Sequence, residues 1–388
     1  MSNNKDFKVK NSIQPTAYHE GFGTVTVSGG VATLDLSTGS VFEVTAPSDI
    51  EVTFSNPAPS GTISQATVFI GEAIDGPGYD LGNGSYDNKS FDVSDELAVS
   101  ALSSMTFKPD GTKMYAVGIV NDTVYQYSLS SPYEINTASY DEKFKNVGTE
   151  DGQPRDVKFN NDGSKMYIVG TDTDTIYQYS LTTNFDVSTA SYDTVTRTVG
   201  SQDTSPLGFN FNNNGTKLFL AGDQNNSIFE YNLTTAFDLS TATYSTNSLN
   251  VFNEMGQPRS MVFNDDGTKM YVSGYPDEIH EYIFTTAFDL STASYNNVSL
   301  DPSDATSYIT NIAISSDGKK LYAASFSTNS VHQFYIGGAH TITYNSAVQF
   351  NGGTAPDSPL ANETDVLAFS TRDGGTSYQA MLAIDGAK

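Results

Sequence analysis

The side chains in this sequence best suited to bind or react recur at a fixed spacing. Asp122, Asp174, Asn226, Asp277 and Asn329 each lie two residues before an apolar residue: Val124, Ile176, Ile228, Ile279 and Val331. One Asp or Asn per unit, on equivalent loops, offers oxygen ligands to a sugar hydroxyl or a calcium ion. The same residue types also serve as loop residues that bond their own backbone. Arg155 and Arg259 close matching Gln-Pro-Arg segments, where the other units carry Ser103, Leu207 and Thr310. A guanidinium suits a carboxylate or sulfate, and pairing with nearby acids is the alternative. His280 and His332 occupy the position of Tyr125, Tyr177 and Phe229, so they are expected as packed rings rather than catalytic bases. His19 and His340 stand alone. No zinc-protease helix motif, nucleophile elbow or phosphate-binding loop is present. The expectation is a non-enzymatic protein with no catalytic residues, no metal site and no cofactor.

These residues keep their spacing because the chain repeats. An Asp-Gly or Asn-Gly turn recurs at Asp110, Asp162, Asn214, Asp266 and Asp317, in steps of 52, 52, 52 and 51 residues. A period of this length marks a solenoid, propeller or array. Within the second unit, Arg155 to Asn160, Lys165 to Gly170, Thr175 to Leu181 and Ser191 to Val199 read as four strands, with Gly163 supplying the positive φ of a tight hairpin. Four antiparallel strands per unit make a propeller blade. The connector before the fourth strand ends at Tyr140, Tyr192, Tyr244 and Tyr295 but is missing after the fifth unit. Its last part occurs early, from Ser85 to Phe91. Residues near 85–93 are therefore expected to supply the outer strand of the last blade and close the ring.

Nine further strand-like runs flank the repeats, five over 20–72 and four over 340–385. Together they approach the number a two-sheet sandwich needs. The fold expected is all-β, a five-bladed β-propeller inserted into a β-sandwich domain. Residues 1–19 would be an attachment segment, 20–73 and 340–388 the sandwich halves, and 84–337 the propeller.

Composition narrows the function classes. The chain has 388 residues, with 45 Asp and Glu against 19 Lys and Arg, a net charge of −26. That sign repels nucleic acid and anionic membranes. There is no cysteine, hence no disulfide and no thiolate chemistry. Met1 to Lys10 is polar, with no apolar run behind it, so neither a secretory leader nor a membrane span is expected.

The flanks carry a resemblance. Leu34 to Thr45 (LDLSTGSVFEVT) with Val52 to Pro57, and Thr341 to Tyr344 through Asp373-Gly374-Gly375-Thr376, resemble a module of tail-fibre-like structural proteins of marine bacteriophages, cyanophages in particular. The opening Ser2 to Asn11 is similar to the starts of cyanophage virion proteins, and the blades resemble repeats in the same group. The resemblance implies a virion structural protein of tail-fibre or head-decoration type, located in the particle and assembled in the host cytoplasm. Its implied partners are other virion proteins and a host-surface glycan or receptor. Homo-oligomerisation is expected because weak glycan contacts gain from multivalency. A secreted lectin-like propeller and a propeller lactonase are the other readings of the same repeats.

Overall fold

A computed structural model describes residues 22–28, 30–45, 50–71, 78–97, 101–337, 342–351, 353–356 and 364–387. The expected attachment segment 1–19, with His19, lies outside these residues, as does His340. The chain divides into two compact units, Pro77–Gly338 and a discontinuous one made of Met1–Gly76 and Ala339–Lys388.

The first unit is a five-bladed β-propeller of four-stranded antiparallel sheets. Blade 1 runs through Leu102–Phe107, Lys113–Gly118, Thr123–Leu129 and Ala138–Asn146. Blade 2 runs through Pro154–Phe159, Lys165–Gly170, Thr175–Leu181 and Ala190–Thr198. Blade 3 uses Pro206–Phe211, Lys217–Gly222, Ser227–Leu233 and Ala242–Asn250. Blade 4 uses Gly256–Phe263, Lys269–Tyr275, Glu278–Phe284 and Ala293–Leu300. Blade 5 takes Ile309–Ile314, Lys320–Ser325 and Ser330–Tyr335 from the end of the repeats and Ser85–Asp92 from their beginning. The borrowed strand pairs antiparallel, Ser330 with Asp92 through Tyr335 with Ser85, as the missing fifth connector implied.

The closure reaches further back than the sequence reading. Tyr79 lies over Gly318, where an added Cβ would overlap its ring, just as Tyr133, Phe185, Phe237 and Phe288 cover Gly111, Gly163, Gly215 and Gly267. Each turn glycine has φ near +70°, and the absent Cβ is what admits the ring. Tyr79-Asp80-Leu81 is thus the fifth copy of Phe237-Asp238-Leu239. That match was legible in the sequence.

Neighbouring blades are joined by repeated polar clamps. The phenols of Tyr115, Tyr167 and Tyr271 donate to the carbonyls of Phe185, Phe237 and Tyr79 at 2.7, 2.6 and 2.8 Å. Burial pushes these phenols well above their usual pKa, so they remain neutral donors. Blade 3 carries Phe219 there, and Lys217 donates to the Phe288 carbonyl instead, at 2.8 Å. On the third strands, Gln126, Gln178 and Glu230 accept from the backbone of Val187, Leu239 and Leu290 in the next blade.

At the axis, the innermost strands bring together Ser104, Asp156, Gly208, Ser260 and Asn311, one per blade. Asp156 is fully buried. Its carboxylate accepts from Ser104 at 2.5 Å, Lys158 at 2.8 Å, the Val157 amide at 2.8 Å, the Phe209 amide at 3.0 Å and Asn311 at 3.2 Å. Asn311 also donates to Ser260 at 3.1 Å. A Cβ on Gly208 would overlap the Arg259 carbonyl oxygen, so glycine sets how closely blades 3 and 4 approach.

In the second unit all nine flanking runs are strands. A four-stranded sheet takes Val25–Ser28, Val31–Asp35, Ile50–Ser55 and Ile342–Tyr344. A five-stranded sheet takes Val348–Phe350, Tyr378–Ala387, Thr364–Thr371, Ser64–Gly71 and Val41–Thr45. Residues of both sheets share one apolar core, including Leu34, Val52 and Ile342 from the first and Phe42, Val68, Leu367 and Phe369 from the second. Strands from the two ends of the chain pair directly, Thr364–Thr371 with Ser64–Gly71. Several pairs are parallel, such as Val31–Asp35 with Ile50–Ser55.

Two stability predictions follow from this geometry. Asp156→Ala should lower the unfolding free energy by about 3–5 kcal/mol, because it leaves Lys158 and several donors buried without their acceptor. Asp162→Ala on an exposed turn should cost roughly 1 kcal/mol; urea unfolding of both variants checks the contrast. Deleting residues 79–92 should abolish cooperative unfolding of the propeller, and a calorimetric transition equal to that of the full chain would contradict the closure.

Candidate functional site

The axial channel opens at the face formed by the loops between second and third strands. The mouth is a cavity of about 400 Å³ lined by Ser103, Ile119, Arg155, Ser205, Leu207, Asp223, Gln257, Arg259, Tyr308, Thr310 and Phe326. All five residues at the Arg155 repeat position face it, which follows from their place at the start of the innermost strands. The two arginines differ in how they are held.

Arg259 is committed to the framework. It is 6% exposed and pairs with Asp277 at 2.8 Å. It also donates to the Ile309 carbonyl at 2.8 Å, and its guanidinium lies 4.6 Å from the Tyr308 ring centre. The acid-pairing alternative thus describes Arg259. Arg155 is half-buried and hydrogen-bonds to neutral oxygens only, Thr171 Oγ1 at 3.0 Å and Gln153 Oε1 at 3.0 Å. Among the described residues no carboxylate lies within ion-pair distance of it. Burial holds its pKa below the usual guanidinium value. Three of its five N–H donors remain to meet solvent or a ligand.

The loop residues Asp122, Asp174, Asn226, Asp277 and Asn329 sit on the same face, all with φ between about +48° and +71°. None of them lines the cavity. Asn226 accepts from the Gln257 amide at 2.8 Å, Asp277 from the Tyr308 amide at 2.9 Å, and Asn329 from the Ala101 amide at 2.8 Å. Each thereby ties its blade to the next. Asp122 and Asp174 face blades whose equivalent amides, those of Gln153 and Ser205, are taken by Asp151 at 2.9 Å and Asp203 at 2.8 Å. One oxygen of each is left buried without a hydrogen bond. Burial and then neighbouring acids raise the pKa of both carboxyls. Among the described residues, no three acidic or histidine side chains gather as a metal site would require.

His280 and His332 are packed rings. Both are buried, His280 lies 5.4 Å from the Tyr295 ring and His332 6.0 Å from that of Tyr86, and burial lowers the pKa of each. Sequence reasoning missed Asp223, Tyr308 and Phe326. Asp223 belongs to no five-fold pattern, and Tyr308 and Phe326 come from different elements. Their rings pack 5.2 Å apart at the mouth.

No known family model matches the chain, and no curated protein matches it. Solved structures similar to it include the periplasmic gluconolactonase of Pseudomonas aeruginosa, 16% identical over 52% of this chain and 54% of that one, with a TM-score of 0.35. A putative 6-phosphogluconolactonase from Bacteroides uniformis is 12% identical over 61% and 83%, with a TM-score of 0.41. The β-propeller domain of Myceliophteria thermophila Cps50 (Swd1) is 11% identical over 61% and 82%, with a TM-score of 0.37. The chain spans about half the length of the Pseudomonas protein. None of these figures speaks to activity.

The different commitments of the two arginines are measurable. Arg259→Ala should destabilise the chain by about 3 kcal/mol through the loss of a buried pair, whereas Arg155→Ala should change stability by no more than about 0.5–1 kcal/mol. Denaturant titration decides. Asp122→Asn and Asp174→Asn should raise the melting temperature at neutral pH. Their folded pKa values exceed the unfolded ones, so the native state is favoured while they are protonated and loses stability as pH rises through the raised values. The gain should vanish in acid, below both values, and melting curves across pH check it.

Proposed function

We propose that this chain is a virion structural protein of tail-fibre or head-decoration type whose propeller presents its channel mouth for host-surface or glycan contact. The observation that carries the binding part is Arg155, a half-buried guanidinium at the mouth of a 400 Å³ cavity with neutral hydrogen-bond partners only. A planar fork of this kind recognises carboxylates and sulfates, groups found on acidic surface glycans. The cavity lies within the size range of small-molecule sites.

The virion assignment rests on the likeness of the flanking segments to phage tail-fibre-like modules. In this reading the discontinuous unit is a β-sandwich into which the propeller is inserted, and it joins other virion proteins, with homo-oligomerisation raising the avidity of the displayed mouths.

Purified particles labelled with gold-conjugated antibody against this chain should carry it, and its absence from them would remove the virion assignment. A glycan array should show binding to acidic glycans by the full chain, reduced at least tenfold in Arg155→Ala. Equal binding by that variant would clear Arg155 of the role.

A further inference from the structure

Arg155 shares its cavity with a second charged group that the framework leaves without a direct partner. Asp223 lines the same mouth, and among the described residues its carboxylate accepts no hydrogen bond and forms no ion pair. The repeat explains why. Asp203, on the loop before it, already takes the amides of Ser205, Gln224 and Asn225 at 2.8, 3.2 and 2.8 Å and so closes the loop that carries Asp223. The Asp223 side chain is left over from that turn and is directed to the cavity. The residue at this repeat position in the other units is Ile119, Thr171, Tyr275 or Phe326, so this carboxylate has no counterpart around the ring. Burial, and then the Asp203 carboxylate, raises the pKa of Asp223 against the opposing pull of Arg259 and Arg155, and burial lowers that of Arg155, so burial opposes the charge of each group. The two form no ion pair with each other, although each feels the other's charge.

We infer that the channel mouth takes a small zwitterionic ligand, an amino sugar acid by class, with its anionic group on Arg155 and its ammonium on Asp223. This rests on the reading that Arg155 binds an anion and adds the second contact. A lone anion would satisfy Arg155 but meet the field of Asp223, and a lone cation would meet the converse. A ligand carrying both charges satisfies both groups and brings no net charge into a half-buried site. The remaining lining suits a sugar ring. Ile119, Leu207, Tyr308 and Phe326 supply apolar surface, with Tyr308 held in place by the Arg259 guanidinium at its face. Ser103, Ser205, Gln257 and Thr310 supply polar groups for hydroxyls. A cavity of about 400 Å³ accommodates a monosaccharide.

Titration calorimetry of the full chain with three probes tests this. Muramic acid carries an amine and a carboxylate. N-acetylmuramic acid keeps the carboxylate and blocks the amine, and glucosamine keeps the amine alone. At about pH 6.5, below the usual range of an amine, muramic acid should bind at least tenfold tighter than either of the others. Asp223→Asn should erase that preference while leaving N-acetylmuramic acid binding equal or tighter, and Arg155→Ala should weaken both carboxylate probes. Unchanged melting temperatures exclude misfolding of the variants. Equal affinity for muramic and N-acetylmuramic acid overturns the zwitterion inference and leaves anion binding by Arg155 standing. No binding of muramic acid overturns it as well, and the glycan array decides separately whether Arg155 binds anions.

Discussion

The propeller turns on one buried carboxylate. Asp156 has no solvent contact, yet it accepts hydrogen bonds from blades 1, 3 and 5 and from its own blade. An isolated charge in that position would be strongly unfavourable. Lys158 at 2.8 Å and four further donors offset the cost. The same demand fixes the positions of the donors. Ser104, Asn311 and the Phe209 amide must all converge, and this sets the relative placement of the innermost strands. Five blades can meet so closely because Gly208 has no side chain where the Arg259 carbonyl approaches.

The outer framework solves a different problem. Each blade buries apolar faces against its neighbours, but the hydrophobic effect that drives this burial is non-directional. The phenols of the second strands and the Gln or Glu side chains of the third strands supply direction, since each bonds one named backbone group in the next blade. Within each blade an aromatic ring lies over the turn glycine. Because one of those rings is Tyr79 and one outer strand is Ser85–Asp92, the covalent break in the ring falls inside blade 5 and hydrogen bonds bridge it.

The mouth shows what the repeat does not equalise. Five equivalent loop residues serve mainly as links between blades: Asn226, Asp277 and Asn329 bond the next blade, and Asp122 and Asp174 lose that role where Asp151 and Asp203 intervene. Two arginines at equivalent positions are also unequal, because Asp277 is an acid within reach of Arg259 while Arg155 meets Thr171 and Gln153. The chemical character of the mouth comes from departures from symmetry, and Arg155 and Asp223 are two such departures in one cavity.

The sequence by itself determined the repeat, the four strands of each blade, the borrowed closing strand and the packed state of His280 and His332. These follow from local periodicity and turn chemistry, which depend on neighbours along the chain. It also placed Arg155 and Arg259 at one repeat position in matching Gln-Pro-Arg segments. Only the tertiary structure decided which arginine is already neutralised, that Asp223 shares the cavity with the other, and that Asp156 carries the axis. Those outcomes depend on distances between residues far apart along the chain, 18 positions for Arg259 and Asp277 and some 50 for Asp156 and Phe209 or Arg259 and Ile309. A pairing across blades is set by side-chain reach and burial in three dimensions, and a linear pattern of residue types does not encode that reach.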